Sequence, residues 1–444
     1  MTDLYTRLEM QGQNEVTQKH QQGLEKATLS LLLGFQKEQE EKTVAQSGVE
    51  ELHRLCDTYG IAVHSTLIVP LKKFEAATYM GTGKVEEIAQ FVKEHGIDIV
   101  ILDDQISPHQ QRNLEQEIKV PVIDRTELIL EVFAKHAKTK EARLQVELAK
   151  VRYQLPRLRR LWTHLSRQSA RGGAHLKGEG EKQIELDKRM LRRRIDQLKE
   201  DLEGIENTRK TQRQARLKAK IPTFAIVGYT NAGKSTLLNA LTQAGVLAED
   251  KLFATLDTTT KSFELPNHQK ILLIDTVGFI KKIPHGLIAA FKSTLEEINY
   301  TDILLHVVDI SNPEAFSQAE ATLATLKELD CQNIPTLTLL NKVDALQDRS
   351  QLIKFKLTIP KTIPISALTH EGFDKLLEYM QSEISNLRQT VKVKIPQSRY
   401  DMVSRLIKDA LVLEQDYVDN DVVMTVEIPK LLLHEIKPFI VKED

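Results

Sequence analysis

The sequence predicts an α/β, multidomain protein: a small N-terminal α/β domain, an antiparallel helical hairpin, a doubly wound domain carrying a phosphate loop, and a small C-terminal α/β domain. Three observations predict it. The chain has 444 residues, about three times the ~150 residues of an ordinary domain. Short apolar runs alternate with helical patterns over 47–140 and again over 221–388, the rhythm of parallel sheets with crossover helices. Between those stretches the apolar period changes to steps of four and three, which is helical.

Composition narrows the class. Hydrophobic residues make up 41%, as in globular chains and unlike disordered ones. The net charge of −1 excludes a uniformly basic nucleic-acid coat and leaves room for a local basic surface. Cys56 and Cys331 are the only cysteines. They lie too far apart in sequence to suggest a zinc cluster or a disulfide framework, which favours a reducing compartment. The opening MTDLYTRLEM has no basic segment followed by an apolar one, and no apolar run approaches the ~18 residues of a membrane span. A cytoplasmic monomer with no membrane span is expected.

Residues 1–46 are polar, rich in Gln and Glu, around one apolar patch, LSLLLGF at 29–35; a peripheral helix and a mobile arm both fit. In 47–140, IAVHSTLIVP and IDIVILDD read as strands flanking the helix KVEEIAQFVKEHG. The preceding GTGK, Gly81 to Lys84, lacks phosphate-loop spacing and reads as a turn before that helix.

In 141–220, Leu144, Leu148, Val151, Leu155, Leu158 and Trp162 form one apolar stripe, and Leu191, Ile195, Leu198, Leu202 and Ile205 form a second, as in two paired helices. Pro156 implies a kink in the first. Gly172, Gly173, Gly178 and Gly180 in the connection 166–183 exclude a continuous helix. From Lys150 to Lys220 there are 21 Lys and Arg against 9 Asp and Glu, so the basic charge is concentrated here. A solvated coiled-coil face is the plain explanation. An excess of this size favours RNA phosphate contacts, with Arg167, Arg171 and Lys177 at the tip.

The 221–388 stretch carries strands at TFAIVG, ILLIDTVG, DILLHVVDI, PTLTLLNKVD and TIPISA, with a last helix from Glu371. Residues 389–444 bring VKVKIP, an amphipathic helix around Met402 to Leu413, and VVMTVEIP, without recognisable chemistry.

Gly228, Tyr229, Thr230, Asn231, Ala232, Gly233, Lys234 and Ser235 spell G-x-x-x-x-G-K-S between a strand and a helix that continues with Thr236. In that context the loop amides cradle phosphates, Lys234 brings charge to the β and γ oxygens, and Ser235 ligates magnesium. Forty residues on, Asp275, Thr276, Val277 and Gly278 close a strand; Asp275 suits magnesium through water, and the Gly278 amide suits the γ-phosphate. Asn341, Lys342 and Asp344 belong to NKVD. A carboxylate at Asp344 pairs with the guanine ring N–H and amine, a donor pair adenine lacks. Asn341 braces the loop, and a backbone N–H near Ser366 and Ala367 meets the guanine oxygen. Thr258, Thr259 and Thr260 in FATLDTTTK, 253–261, offer hydroxyls to close on magnesium when GTP is bound; Thr259 is the one assigned. Lys234, Thr259 and Gly278 are thus the expected catalytic residues.

GYTNAGKSTLLNAL, FATLDTTTK, DTVGFI with PHGLIAAFKSTLEE, and NKVD together resemble the HflX family of GTPases. The N-terminal half resembles it through GTGKVEEI, SPHQQRNLE, VIDRTELIL, LQVELAKVRYQLPRL and GEGEKQIELDKR, and the resemblance spans about residues 50–390. It implies the four-part architecture above, binding to the large ribosomal subunit and its rRNA, and separation of stalled or idle ribosomes. The chain departs from the family's usual proline at Thr258 and from its usual Gly-Pro-Gly-Glu at Gly178 to Glu181.

Signalling GTPases orient the attacking water with a Gln directly after the DxxG glycine. Here that residue is Phe279, which cannot do so, and slow isolated turnover is expected. A cation such as K+ beside Asn231, a residue of 253–261, or the ribosome would complete the site. Asn231 fits a potassium ligand and a bracing side chain equally. A second function fits Phe279 as well: a nucleotide-dependent switch that docks on a protein partner with little turnover.

Overall fold

The computed structural model describes residues 29–38, 42–158, 177–219, 221–242, 252–253, 255–256, 258–282, 296–346, 350–359, 361–429 and 433–441. The first domain runs β1 (Leu29–Lys37), α1 (Lys42–Tyr59), β2 (Ala62–Leu71), α2 (Thr82–His95), β3 (Ile99–Leu102), α3 (Pro108–Ile118), β4 (Val122–Asp124) and α4 (Arg125–His136). Its sheet has the order β2-β1-β3-β4, with every pair parallel.

The apolar patch at 29–35 is therefore neither helix nor arm but an inner strand, so the sheet takes in residues ahead of 47. Leu31, Leu32 and Leu33 are fully buried. A strand covered on both faces shows a continuous apolar run without alternation, so its period could not reveal it. Local signals set the helices: Ser107 Oγ accepts from Gln110 N at 3.2 Å while Gln110 Oε1 accepts from Ser107 N at 3.0 Å, a reciprocal cap. Gly81 is the N-cap of α2, and Thr82, Gly83 and Lys84 are its first turn, so GTGK starts the helix instead of forming a turn ahead of it.

The hairpin is α5 (Lys140–Gln154), a 3-10 turn at Leu155–Arg157 around Pro156, and α6 (Lys177–Ala219). Its arms are antiparallel: Glu141 pairs with Arg209 at 2.8 Å and Glu147 with Arg194 at 2.6 Å, over a seam of Leu148, Val151 and Leu198. With 43 residues, α6 is about 65 Å long. Gly178 and Gly180 lie inside it, a correction to the predicted connection. Both fall in its first turn, where the penalty of a helix-interior glycine does not apply in full. Arg167 and Arg171 fall outside the described residues. Lys177 opens α6, and its side chain lies outside what the structure describes.

The third unit contains β5 (Thr223–Gly228), α7 (Lys234–Thr242), β6 (Thr259–Glu264), β7 (Lys270–Asp275), β8 (Ile303–Asp309), α8 (Ala315–Glu328), β9 (Thr336–Asn341), α9 (Ser350–Thr358), β10 (Thr362–Pro364) and α10 (Phe373–Leu387). The sheet order is β10-β9-β8-β5-β7-β6, with only β6 antiparallel. β5 sits centrally, so the loop leaving it lies at the carboxyl ends of the strands, where doubly wound folds bind ligands. The C-terminal unit places β11 (Arg388–Pro396), α11 (Tyr400–Asp409), β12 (Leu411–Val418) and β13 (Asp421–Pro429) in an antiparallel sheet of order β11-β13-β12.

One apolar core joins the first and third units. Leu52 and Phe133 belong to the same buried cluster as Leu252, Phe253, Val277 and Phe279, and the rings of Phe133 and Phe253 meet edge to face at 4.5 Å. Among the described residues, no helix is long and apolar enough to cross a membrane.

Candidate functional site

The loop from Gly228 to Gly233 turns sharply between β5 and α7. Gly233 has φ +94°, and a Cβ there would stand 2.2 Å from Asn341 Nδ2, so only glycine fits. Asn341 is buried and clamps two segments: its Nδ2 donates to the Ala232 carbonyl at 2.8 Å, and its Oδ1 accepts from the Ala367 amide at 2.9 Å. Asn341 thus braces the base-side loops, as expected. The Ala367 amide is already committed to it, so this amide is not the one free for a guanine oxygen. Ser366 is also structural here, its Oγ accepting from Thr369 N at 3.1 Å. Asp344 is exposed in the short 3-10 turn after β9, open to a base. Lys342 is held by Asp309 at 2.7 Å.

Lys234 opens α7 and is buried, with its ammonium donating to the Tyr229 carbonyl at 2.8 Å. Burial pulls its pKa down to about 8, against the pull of Asp275. Ser235 Oγ donates to Asp275 Oδ2 at 2.6 Å and lies 2.8 Å from Thr255 Oγ1. Burial raises the pKa of Asp275, while Lys234 and Ser235 oppose it. Its other oxygen, Oδ1, is buried without a hydrogen-bond partner. A cluster of two hydroxyls and a carboxylate with one orphaned buried oxygen fits a hard divalent cation such as magnesium.

Thr255 is the residue that sequence reasoning missed. The three adjacent threonines drew attention, yet Thr259 is the first residue of the edge strand β6, in ladder register with Asp275. In this structure the hydroxyl beside Ser235 is that of Thr255, which corrects the assignment of Thr259 as catalytic and metal-binding. Two further expectations shift. Thr276 Oγ1 donates to the Ile226 carbonyl at 2.8 Å, and Val277 packs in the shared core. Both side chains are thus committed to protein contacts just past the end of β7.

Gly278 lies against the loop: a Cβ on it would stand 2.8 Å from Thr230 Cα and 2.9 Å from Lys234 Nζ. Phe279 is zipped to the same loop, its amide donating to the Gly228 carbonyl at 3.0 Å and its carbonyl accepting from Thr230 N at 2.7 Å. It is 2% exposed and packs in the shared core. Phe279→Ala is expected to lower stability by about 3–5 kcal/mol, read as a lower urea midpoint. Unchanged stability would show that the ring is not packed as described. Asn231 adopts the left-handed conformation at φ +61°, which Asn tolerates better than most side chains. A cleft of about 840 Å3 opens beside the loop, lined by Glu50 and Arg54 of α1, Thr230, Asn231 and Lys342.

Four family models cover the chain in order: GTP-binding GTPase N-terminal over 46–134, GTP-binding GTPase Middle Region over 136–216, 50S ribosome-binding GTPase over 223–342, and HflX C-terminal domain over 352–436. The GTPase HflX of Chlamydia pneumoniae is 46% identical over 400 residues, 89% of this chain and 85% of that one. That of Escherichia coli (strain K12) is 40% identical over 374 residues, 84% and 87%. Among solved structures, a GTP-binding protein from the hyperthermophilic archaeon Sulfolobus solfataricus in complex with GDP is 27% identical, with coverage of 81% of this chain and 99% of that one and a TM-score of 0.42. With a phosphate loop, a guanine-type NKxD turn and relatives of this identity along nearly its whole length, the chain belongs to the HflX family of GTPases.

Proposed function

We propose that this protein is a ribosome-associated GTPase whose GTP form grips the large subunit and its rRNA, separates stalled or idle ribosomes, and lets go on hydrolysis. The observation that carries the reading is a phosphate-binding loop in the same chain as a helical hairpin whose stretch from Lys150 to Lys220 holds 21 Lys and Arg against 9 Asp and Glu. Arg189, Arg192 and Arg193 stand exposed in one stretch of α6. The family model over 223–342 is described as a 50S ribosome-binding GTPase, which agrees.

At the nucleotide, the loop amides from Asn231 to Ser235 and the Lys234 ammonium would hold the β- and γ-phosphates, and Asp344 would select guanine. Ser235, Thr255 and Asp275 would hold magnesium, which when bound neutralises charge developing between the phosphates. Potassium beside Asn231 is a second cation this site could take. The amide of Gly278 would meet the γ-phosphate.

The first experiment is GTP turnover with and without purified large subunits; stimulation is expected, and none would favour the switch that docks on a protein partner. The buried ring of Phe279 is the observation behind that second reading, since it leaves the isolated site without a water-orienting side chain. Neutralising Arg167, Arg171 and Lys177 together should weaken association with large subunits and lower its salt dependence by about one unit of slope per lost phosphate contact. Basal hydrolysis should survive. Wild-type affinity across a salt titration would assign those charges to a solvated helix surface.

A further inference from the structure

Two exposed histidines of the N-terminal domain stand side by side, and the nucleotide chemistry uses neither. His64 lies on β2, the edge strand of the sheet, and His95 is the last residue of α2. Their ring centroids are 5.1 Å apart, with the planes at 59°. A backbone irregularity brings about the meeting. The register of β1 on β2 steps from Ser30 opposite Val63 to Leu31 opposite Ser65, so His64 is an extra residue, a bulge of the kind that re-aims a side chain at a sheet edge. Successive strand residues ordinarily face opposite sides of a sheet. Here His64 Nδ1 lies 3.2 Å from Ser65 Oγ, and the ring reaches α2, edge to face with Phe91 at 6.2 Å. His95 is held on the helix itself: it stacks on Phe91 at 4.1 Å, and its Nδ1 is 2.9 Å from the Phe91 carbonyl oxygen.

We propose that His64 and His95 form a two-imidazole binding site for zinc or another borderline divalent transition metal. The Phe91 carbonyl can only accept, so Nδ1 of His95 carries the proton and Nε2 of the neutral ring keeps its lone pair. That is the arrangement of a metal-bound histidine, whose second nitrogen donates to a carbonyl and thereby fixes tautomer and ring orientation. The Ser65 hydroxyl accepts from Nδ1 of His64 as readily as it donates, so the second ring can offer its Nε2 in the same form. The separation agrees as well. With Zn–N bonds of about 2.0–2.1 Å and a tetrahedral angle, the centroids of two imidazoles on one ion lie about 5 Å apart. Among the described residues no third His, Cys, Asp or Glu joins them in a cluster, so water fills the remaining positions. A site whose protein ligands are both imidazoles selects against magnesium, which prefers oxygen. It shares no residue with the Ser235, Thr255 and Asp275 cluster, and a bound ion ties the edge of the sheet to the end of α2.

The test is zinc binding by the full chain after chelator treatment, in excess magnesium, measured by competition with a chromophoric zinc chelator. The wild type should bind one equivalent more than the His64→Ala/His95→Ala double variant. Removing even a supporting hydrogen bond from a metal-bound histidine costs about tenfold to a hundredfold in affinity, so each single variant, which removes a ligand, should lose at least that much. Both positions are exposed, so folding should be unaffected. Zinc should also slow amide hydrogen exchange over 62–66 and 91–97 in the wild type and in neither single variant. Equal zinc uptake by the wild type and the double variant would overturn the proposal. So would an affinity that depends on only one of the two histidines, or zinc uptake that leaves exchange at either segment unchanged.

Discussion

Lys234→Ala is expected to reduce guanine-nucleotide affinity or turnover by two orders of magnitude or more, about 3 kcal/mol of charge-assisted contact to phosphate, while the melting temperature holds. The side chain is buried with its ammonium on a single carbonyl, that of Tyr229, and burial has already pulled its pKa down to about 8. A lysine whose folded pKa lies below its unfolded value of 10.5 binds fewer protons in the folded state between those two values. Its burial thus opposes folding most at neutral pH, and this penalty fades as pH rises from about 8 to 10.5. Removing it therefore relieves a desolvation cost and does not break the core. The same displacement gives a pH dependence in the wild type. Phosphate favours the ammonium and raises its pKa, so nucleotide binding should take up a proton above pH 8 and weaken as pH rises through that value. Calorimetric titrations in buffers of different ionisation enthalpy check the proton uptake. Preserved binding and hydrolysis in Lys234→Ala would refute the phosphate-loop assignment.

Asp344→Asn should carry the second large effect, on the choice of base. The carboxylate is exposed on a turn whose position is set from behind, since Asn341 ties the end of β9 to both Ala232 and Ala367. A carboxylate accepts twice from guanine. The amide puts a donor against the base amine, leaving one donor facing another at the cost of an unmade charged hydrogen bond, about 1.5–3 kcal/mol or roughly tenfold to a hundredfold in affinity. Xanthine, which carries a carbonyl in place of that amine, should gain by a similar factor. Competition binding with GTP, XTP and ATP reads all three. Equal affinity of the wild type for GTP and ATP would remove the guanine assignment.

Elements of this protein differ in how far they were legible. Phosphate loop, DTVG and NKVD are contiguous motifs whose chemistry lies in backbone turns of a few residues, and all of them stand at the ends of β5, β7 and β9 as the spacing predicts. The two helices of the hairpin were legible from their apolar stripes, although Gly178 and Gly180 turned out to lie in the second helix. Thr255 was not: three neighbouring threonines made the louder pattern, and the packing of Leu252 on Thr58 and of Phe253 on Phe133, next to Thr255, is a tertiary feature. β1 was hidden because a strand buried on both sides has no period.

Sequence by itself determined the chemistry of this protein, namely the domain order, the guanine-nucleotide motifs and the basic arm, since each is encoded by neighbours along the chain. Tertiary structure decided which side chains meet. Tyr229 and Glu51, whose side chains share a hydrogen bond, are 178 residues apart and carry no shared motif. They meet because an apolar surface from Leu52 and Phe133 to Phe253 and Phe279 is buried in one core, and burying that surface is what draws the N-terminal domain onto the phosphate loop.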